Sequence, residues 1–196
     1  MDALLETLAS WRTGIIIAHI IGIAFGVGGA TVSDFLFFRF LKDLKISHFE
    51  SRTLNSVSAI IWIGLIMLVL SGVALYLPQA EQLNESSKFL TKMVVVAVIA
   101  VNGVVLNKIV SPKLKRISFE MRHEHVSGEL RRLRKIAFAL GSVSFISWYT
   151  ALILGALRAI PLTLPAALSI YGGLLFIGIS GSQVAEYLIS KRKITL

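Results

Sequence analysis

Six residues of this chain carry reactive or strongly hydrogen-bonding side chains within long apolar stretches: His19, Asp34, Lys92, Asn102, Asn107 and Glu186. Hydrocarbon penalises every such group, so each implies a partner, a water-filled path or a chemical role. An imidazole can ligate iron or pass a proton. A lysine that turns inward can ligate a metal or exchange a proton, whereas one that turns outward snorkels to the interface. Buried carboxylates and amides can line a path for a polar solute or glue helices together. On one helix His19 and Asp34 are about 22 Å apart along the axis, too far to be partners. His19 falls about 8 Å inside the start of its apolar stretch, and Lys92 about 5 Å inside the start of another. Those two are therefore expected at one depth, near the end of the bundle opposite Asp34.

The elements that must position these residues are membrane helices. Hydrophobic residues make up 55% of the 196 and charged residues only 16%, with a mean hydropathy of +0.77. That excess of apolar surface excludes an ordinary water-soluble domain. Five spans are predicted, at Gly14–Phe40, Leu54–Leu77, Phe89–Ile109, Ile136–Leu157 and Pro165–Ile189. Each exceeds the length of about 20 residues that crosses a bilayer as a helix. Nothing alternates as a barrel strand would, and open backbone groups are not tolerated in lipid. The expected fold is a single all-α domain, a polytopic membrane bundle of five transmembrane helices. The first apolar run is too long for a signal-peptide core, so a retained first span is expected. Residues 2–11, with Leu4, Leu5, Leu8 and Trp11 beside Asp2 and Glu6, suggest either a short interfacial helix or a frayed terminus.

Charge sets the expected orientation. The chain carries a formal net charge of +9, and sixteen of its twenty basic residues fall on one side. They sit after span one (Arg39, Lys42, Lys45, Arg52), after span three (Lys108 to Lys135) and in the tail (Lys191, Arg192, Lys193). By the positive-inside rule the N-terminus is expected outside and the C-terminus inside. This placement explains the positive charge without nucleic acid, which is not an expected partner. No cysteine is present, which excludes disulfides, thiolate metal sites and iron–sulfur clusters. In the basic loop His123 and His125 are two residues apart, so on a helix they share no face and make a poor metal pair. His48 is expected on the same side. Arg158, at the other side, either meets an acidic group or anchors its helix in the headgroups.

Two patterns bear on packing. At 100° per residue, His19, Gly22, Gly26, Gly29 and Ser33 share one face, a histidine above a groove of small residues. Such a groove admits a neighbouring helix closely, or a flat cofactor. Separately, Ser56-Val57-Ser58-Ala59-Ile60-Ile61-Trp62 in span two is echoed by Ser142-Val143-Ser144-Phe145-Ile146-Ser147-Trp148 in span four. Both spans run in one direction, so the echo marks either two parallel helix pairs or chance similarity in a restricted alphabet. Trp62 and Trp148 read as core or interface aromatics.

The run His19-Ile20-Ile21-Gly22, the later Phe35-Leu36-Phe37-Phe38-Arg39 and the entry Lys88-Phe89-Leu90-Thr91-Lys92 resemble bacterial inner-membrane families over about residues 15–112. These are the HemJ-type protoporphyrinogen oxidases and the CopD-like copper-resistance proteins. In the former, a first-span histidine and a third-span lysine form the functional pair, associated with heme b. His19 and Lys92 match those positions. Gly26 stands where the pattern has tryptophan, and Ser33-Asp34 where it has Pro-Arg. For copper the chain offers no cysteine and only Met67 and Met93 within spans.

Three functions compete. The resemblance implies a heme-b-associated inner-membrane protein, with His19 as ligand to the heme iron, Lys92 as second ligand or catalytic proton partner, and Gly22, Gly26 and Gly29 as the cofactor groove. Such a protein would oxidise a porphyrinogen or pass electrons to a quinone. The second is a small transporter or channel-like protein using Asp34, Asn102, Asn107 and Glu186 as a polar cluster. The third is a structural or assembly subunit that docks through Gly172, Gly173, Gly178 and Gly181, glycines that also suit a homo-oligomer.

Overall fold

The computed structural model describes residues 2–41, 48–113 and 127–192. The described chain is helical nearly throughout, with no strand. Its elements are α1 (Asp2–Ser10), α2 (Arg12–Leu41), α3 (His48–Tyr76), α4 (Ala80–Asn84), α5 (Ser87–Val105), α6 (Ser127–Ala156) and α7 (Leu164–Arg192). Five of them, α2, α3 with its extension through α4, α5, α6 and α7, are long and apolar enough to cross a membrane. The chain is thus a helical membrane bundle. The calls on Lys42, Lys45, Lys115, Arg116, Arg122, His123, His125 and Lys193 lie outside the described residues.

The helices outrun the apolar windows. α3 begins at His48 and α6 at Ser127, two turns or so before the predicted spans. Hydropathy marks where lipid begins, whereas a helix continues into water as long as its backbone bonds are made. The connection after α3 is itself helical, a 3₁₀ turn at Leu77–Gln79 followed by α4, with Pro78 at the start of the turn, where its missing N–H costs nothing. Ser86 then caps α5 by accepting from the Phe89 N–H at 3.4 Å. The Lys88 ammonium donates to the Leu157 carbonyl and, at 3.4 Å, to that of Arg158, satisfying the open carbonyls at the end of α6.

α2 packs most extensively on α3, α6 packs on α7 and α5, and α2 also touches α6. The α2–α3 contact is backbone on backbone. A Cβ added at Gly64 would stand 2.7 Å from the Gly26 nitrogen and 2.8 Å from the Gly22 carbonyl, and one at Gly22 would stand 3.0 Å from the Gly64 carbonyl. Removing side chains on both helices is what lets their axes approach this closely. The central core is Ala30, Leu65, Leu68, Val95, Ile99, Trp148, Ala151, Leu154 and Tyr171. A second cluster, Val110, Leu133, Ala137 and Phe138, closes the end rich in basic residues. Large apolar residues such as Ile17, Ile63, Phe176 and Ile177 point outward and form the belt that lipid solvates.

Hydroxyls inside the bundle are satisfied locally. Thr31, Thr91 and Ser147 each donate to the carbonyl four residues back, at 2.7, 2.7 and 2.6 Å. Ser147 Oγ also meets Tyr171 Oη at 2.7 Å, which fixes α6 against α7.

Candidate functional site

A cavity of about 140 Å³ opens between α2, α3, α5 and α6 in the half of the bundle nearer the basic loops. From Leu54 to Leu65 on α3 it covers about 16 Å of helix axis. Its polar lining is Ser33 and Asp34 from α2, Asn55 and Ser58 from α3, Asn107 and Ser111 from the end of α5, and Ser144 from α6. Trp62, Trp148, Leu65 and Ile99 complete the wall. Beyond them Leu68, Val95 and Leu154 pack together in the central core. Among the described residues, the polar space is bounded on this side by an apolar plug.

Asp34 is the one charged side chain among the described residues that line the cavity. Its Oδ1 faces Gly141 of α6, 3.7 Å from where a Cβ would stand. Its Oδ2 is buried and has no hydrogen-bond partner among the described residues. A carboxylate oxygen in that setting forgoes several kcal/mol of solvation, roughly, unless something fills the space beside it.

Opposite stands Asn107, whose Nδ2 donates to Ser58 Oγ at 2.7 Å. Asn107 lies on a π-helical turn, Leu106–Val110, inserted at the end of α5. The wider turn re-aims the following side chains, and Leu106, Asn107, Val110 and Ser111 all reach the cavity. Such turns inside helices recur at functional sites. The sequence echo meets here as well: Ser58 and Trp62 of α3 and their counterparts Ser144 and Trp148 of α6 line the same cavity. No single residue type signals this convergence. Only the match of two distant segments does.

Neither protein-family models nor curated proteins nor solved structures give a match to this chain. The family resemblance of residues 15–112 therefore rests on its motif residues alone.

The remaining candidate residues fall elsewhere. His19 lies toward the other end of α2, where its Nδ1 meets Ser71 Oγ of α3 at 2.9 Å and its Cε1 lies 3.6 Å from where a Cβ of Gly72 would be. Ser71 Oγ in turn donates to the Met67 carbonyl at 2.5 Å, so it meets the imidazole chiefly as an acceptor. Lys92 of α5 is half-buried and lies close enough for its charge to act on that imidazole. The two side chains thus share a neighbourhood.

The groove beneath His19 is occupied by protein. α3 fills it at Gly22 through Gly64 and Leu68, and at Gly29 through Ile61, whose Cγ1 would lie 2.8 Å from an added Cβ. At Gly26 the Trp148 ring stands where a side chain would be. Of the two occupants that the spacing allows, the neighbouring helix is the one present, and no room for a flat macrocycle remains on that face. The described residues also hold no cluster of three His, Cys, Asp or Glu side chains fit for a metal ion.

The four-residue polar cluster divides. Asp34 and Asn107 face the cavity, but Asn102 and Glu186 do not line it. Asn102 donates to the Leu140 carbonyl at 3.1 Å and ties α5 to α6. Glu186, fully buried on α7, pairs with Arg134 of α6: the guanidinium Nε donates to Oε1 at 2.8 Å and a terminal nitrogen donates to the same oxygen. Residues at one level on different helices share a site only if their azimuths agree, and those of Asn102 and Glu186 turn toward α6 instead. Among the α7 glycines, Gly178 is packed under Ile146, whereas Gly172, Gly173 and Gly181 have open space beside them.

Proposed function

We propose that this chain is a small multi-pass membrane carrier that binds a polar solute in the cavity at its basic end. Asp34 is the principal binding group, and Asn107, Ser58 and Ser144 supply hydrogen bonds. The observation that carries this reading is the Asp34 Oδ2, buried in that cavity and without a partner among the described residues. Ionisable groups are retained within membrane helices chiefly along solute and ion pathways. The π-turn at Asn107 and the paired echo residues support a site built at the junction of two similarly directed helix groups. The apolar plug of Leu68, Val95 and Leu154 favours one-sided access, as in a carrier, over an open channel. The basic loops support a reading in which the accessible side faces the cytoplasm of a bacterial inner membrane and the N-terminus lies outside.

The absence of cysteine makes a direct test available. Ser144→Cys places one thiol at the cavity wall, and Ser147→Cys places one at a position that is fully buried and bonded to Tyr171. With methyl methanethiosulfonate in detergent, the first is expected to react about tenfold faster or more than the second, because exposure governs thiol reactivity. Equal rates would remove the solvent-accessible site on which the reading depends.

A second reading keeps His19 and Lys92 as a heme-linked redox pair handling a porphyrin or quinone, and their shared neighbourhood supports it. The glycine groove does not fit the macrocycle, so no step is derived through it. Protein purified from heme-replete cells is expected to be colourless near 400 nm, roughly the region where a ligated heme absorbs. A Soret band that disappears in His19→Ala would reverse the order of the two readings.

A further inference from the structure

We infer that the cavity's ligand is a small alkylammonium ion, with Asp34 as its counter-charge and Trp62 and Trp148 as aromatic walls. This rests on the cavity being a binding site, and it names the chemical class that site takes. Three features of the lining point the same way. The first is charge: among the described lining residues Asp34 is the single ionisable side chain and none is basic, so an anionic guest would meet only a carboxylate. The second is the hydrogen-bonding inventory: the serine and asparagine oxygens accept from an N–H guest, and one of the two Asn107 Nδ2 hydrogens is already spent on Ser58 Oγ.

The third is the pair of indoles. They come from equivalent positions of the echo, on α3 and α6, and each lies against a glycine of a neighbouring helix. The Trp148 ring fills the place of a side chain at Gly26, and Trp62 Cζ2 lies 3.5 Å from where a Cβ of Gly103 would be. Cations bound among aromatic walls gain from the ring quadrupole, most of all with tryptophan. A bare metal ion would use neither indole nor the aliphatic walls Leu65 and Ile99, and asks for six or so oxygens in fixed geometry. An alkylammonium uses the carboxylate, the π-walls and the aliphatic surface together.

The test follows the rate at which methyl methanethiosulfonate modifies Ser144→Cys in the purified full chain. Methylammonium, dimethylammonium and tetramethylammonium chlorides are added in turn, with neopentyl alcohol as the neutral isostere and sodium chloride at matched ionic strength. At four times its dissociation constant, at least one ammonium is expected to slow modification about fivefold. The alcohol and sodium leave the rate unchanged, and protection disappears when Asp34→Asn is added, measured against that variant's own unprotected rate. If the alcohol or sodium protects as well, if Asp34→Asn retains protection, or if no ammonium protects, the ligand class is wrong. In those outcomes the cavity still stands, because Ser144→Cys reacts. A thiol at 144 no faster than one at 147 would instead remove the binding site and the ligand together.

Discussion

Gly64→Leu is expected to abolish or severely depress the yield of folded protein, with any survivor melting about 10 °C lower in detergent. At Gly64 a Cβ meets the Gly26 nitrogen, the Gly22 carbonyl and, at 3.0 Å, the Phe25 Cβ. Two of these three are backbone atoms in the middle of a 30-residue helix, so they cannot swing away as a side-chain tip would. Overpacking of an adaptable core costs about 1–3 kcal/mol, and a clash against backbone falls at or above the top of that range. The helices must part, and parting exposes Leu65, Leu68 and Ala30 together. Gly28→Leu provides the comparison. It lies on α2, the helix that Gly64 packs against, with nothing within 4 Å of an added Cβ, so its thermal midpoint should match the parent's. Equal behaviour of the two variants would mean that α2 and α3 do not interlock as described.

The second large effect is at the buried ion pair. Glu186→Gln leaves the Arg134 guanidinium against a neutral amide in a setting where both side chains are less than a tenth exposed. Removing one partner of a buried pair costs about 3–5 kcal/mol, because the remaining charge has been desolvated without compensation. Glu186→Gln and Arg134→Met are each expected to lower the thermal midpoint by about 10 °C, whereas Arg134→Met with Glu186→Met together should recover most of that loss. The double variant buries apolar groups where the pair stood and leaves no uncompensated charge from either residue. Losses that simply add would show that the two residues do not act as a unit. Asn102→Ala is a milder case, since only the single 3.1 Å bond to the Leu140 carbonyl is lost, at about 1 kcal/mol.

The number and kind of helices were legible because each apolar run is longer than a bilayer is thick. The ends were not, since the turns at His48 and Ser127 continue into polar sequence that hydropathy cannot distinguish from loop. The small-residue face of α2 could be read from spacing, but its complement, Gly64, stands alone in an aliphatic run and gives no pattern. Depth was readable from residue counts, and azimuth was not. Hence His19 and Lys92 could be placed at one level, while nothing separated Asp34 and Asn107, which share a cavity, from Asn102 and Glu186, which do not. Arg134 was hidden for another reason: by composition it belongs to a basic loop, and only the helical start at Ser127 carries it into the bundle. The cavity itself had one trace in the sequence, the repeated serine and tryptophan spacing of α3 and α6.

The backbone contact between α2 and α3 has a mechanical corollary. With no side chains between their axes at Gly22, Gly26 and Gly64, these two helices can only travel as one stiff stave. The seam between α2 and α6 is different, because it is made by side chains: the Trp148 indole against Gly26, Phe37 against Phe138, and Thr31 Oγ1 against Tyr149 Oη at 3.1 Å. Any swing that enlarges the chamber around Asp34 therefore slides along these side-chain contacts and leaves the α2–α3 pair intact.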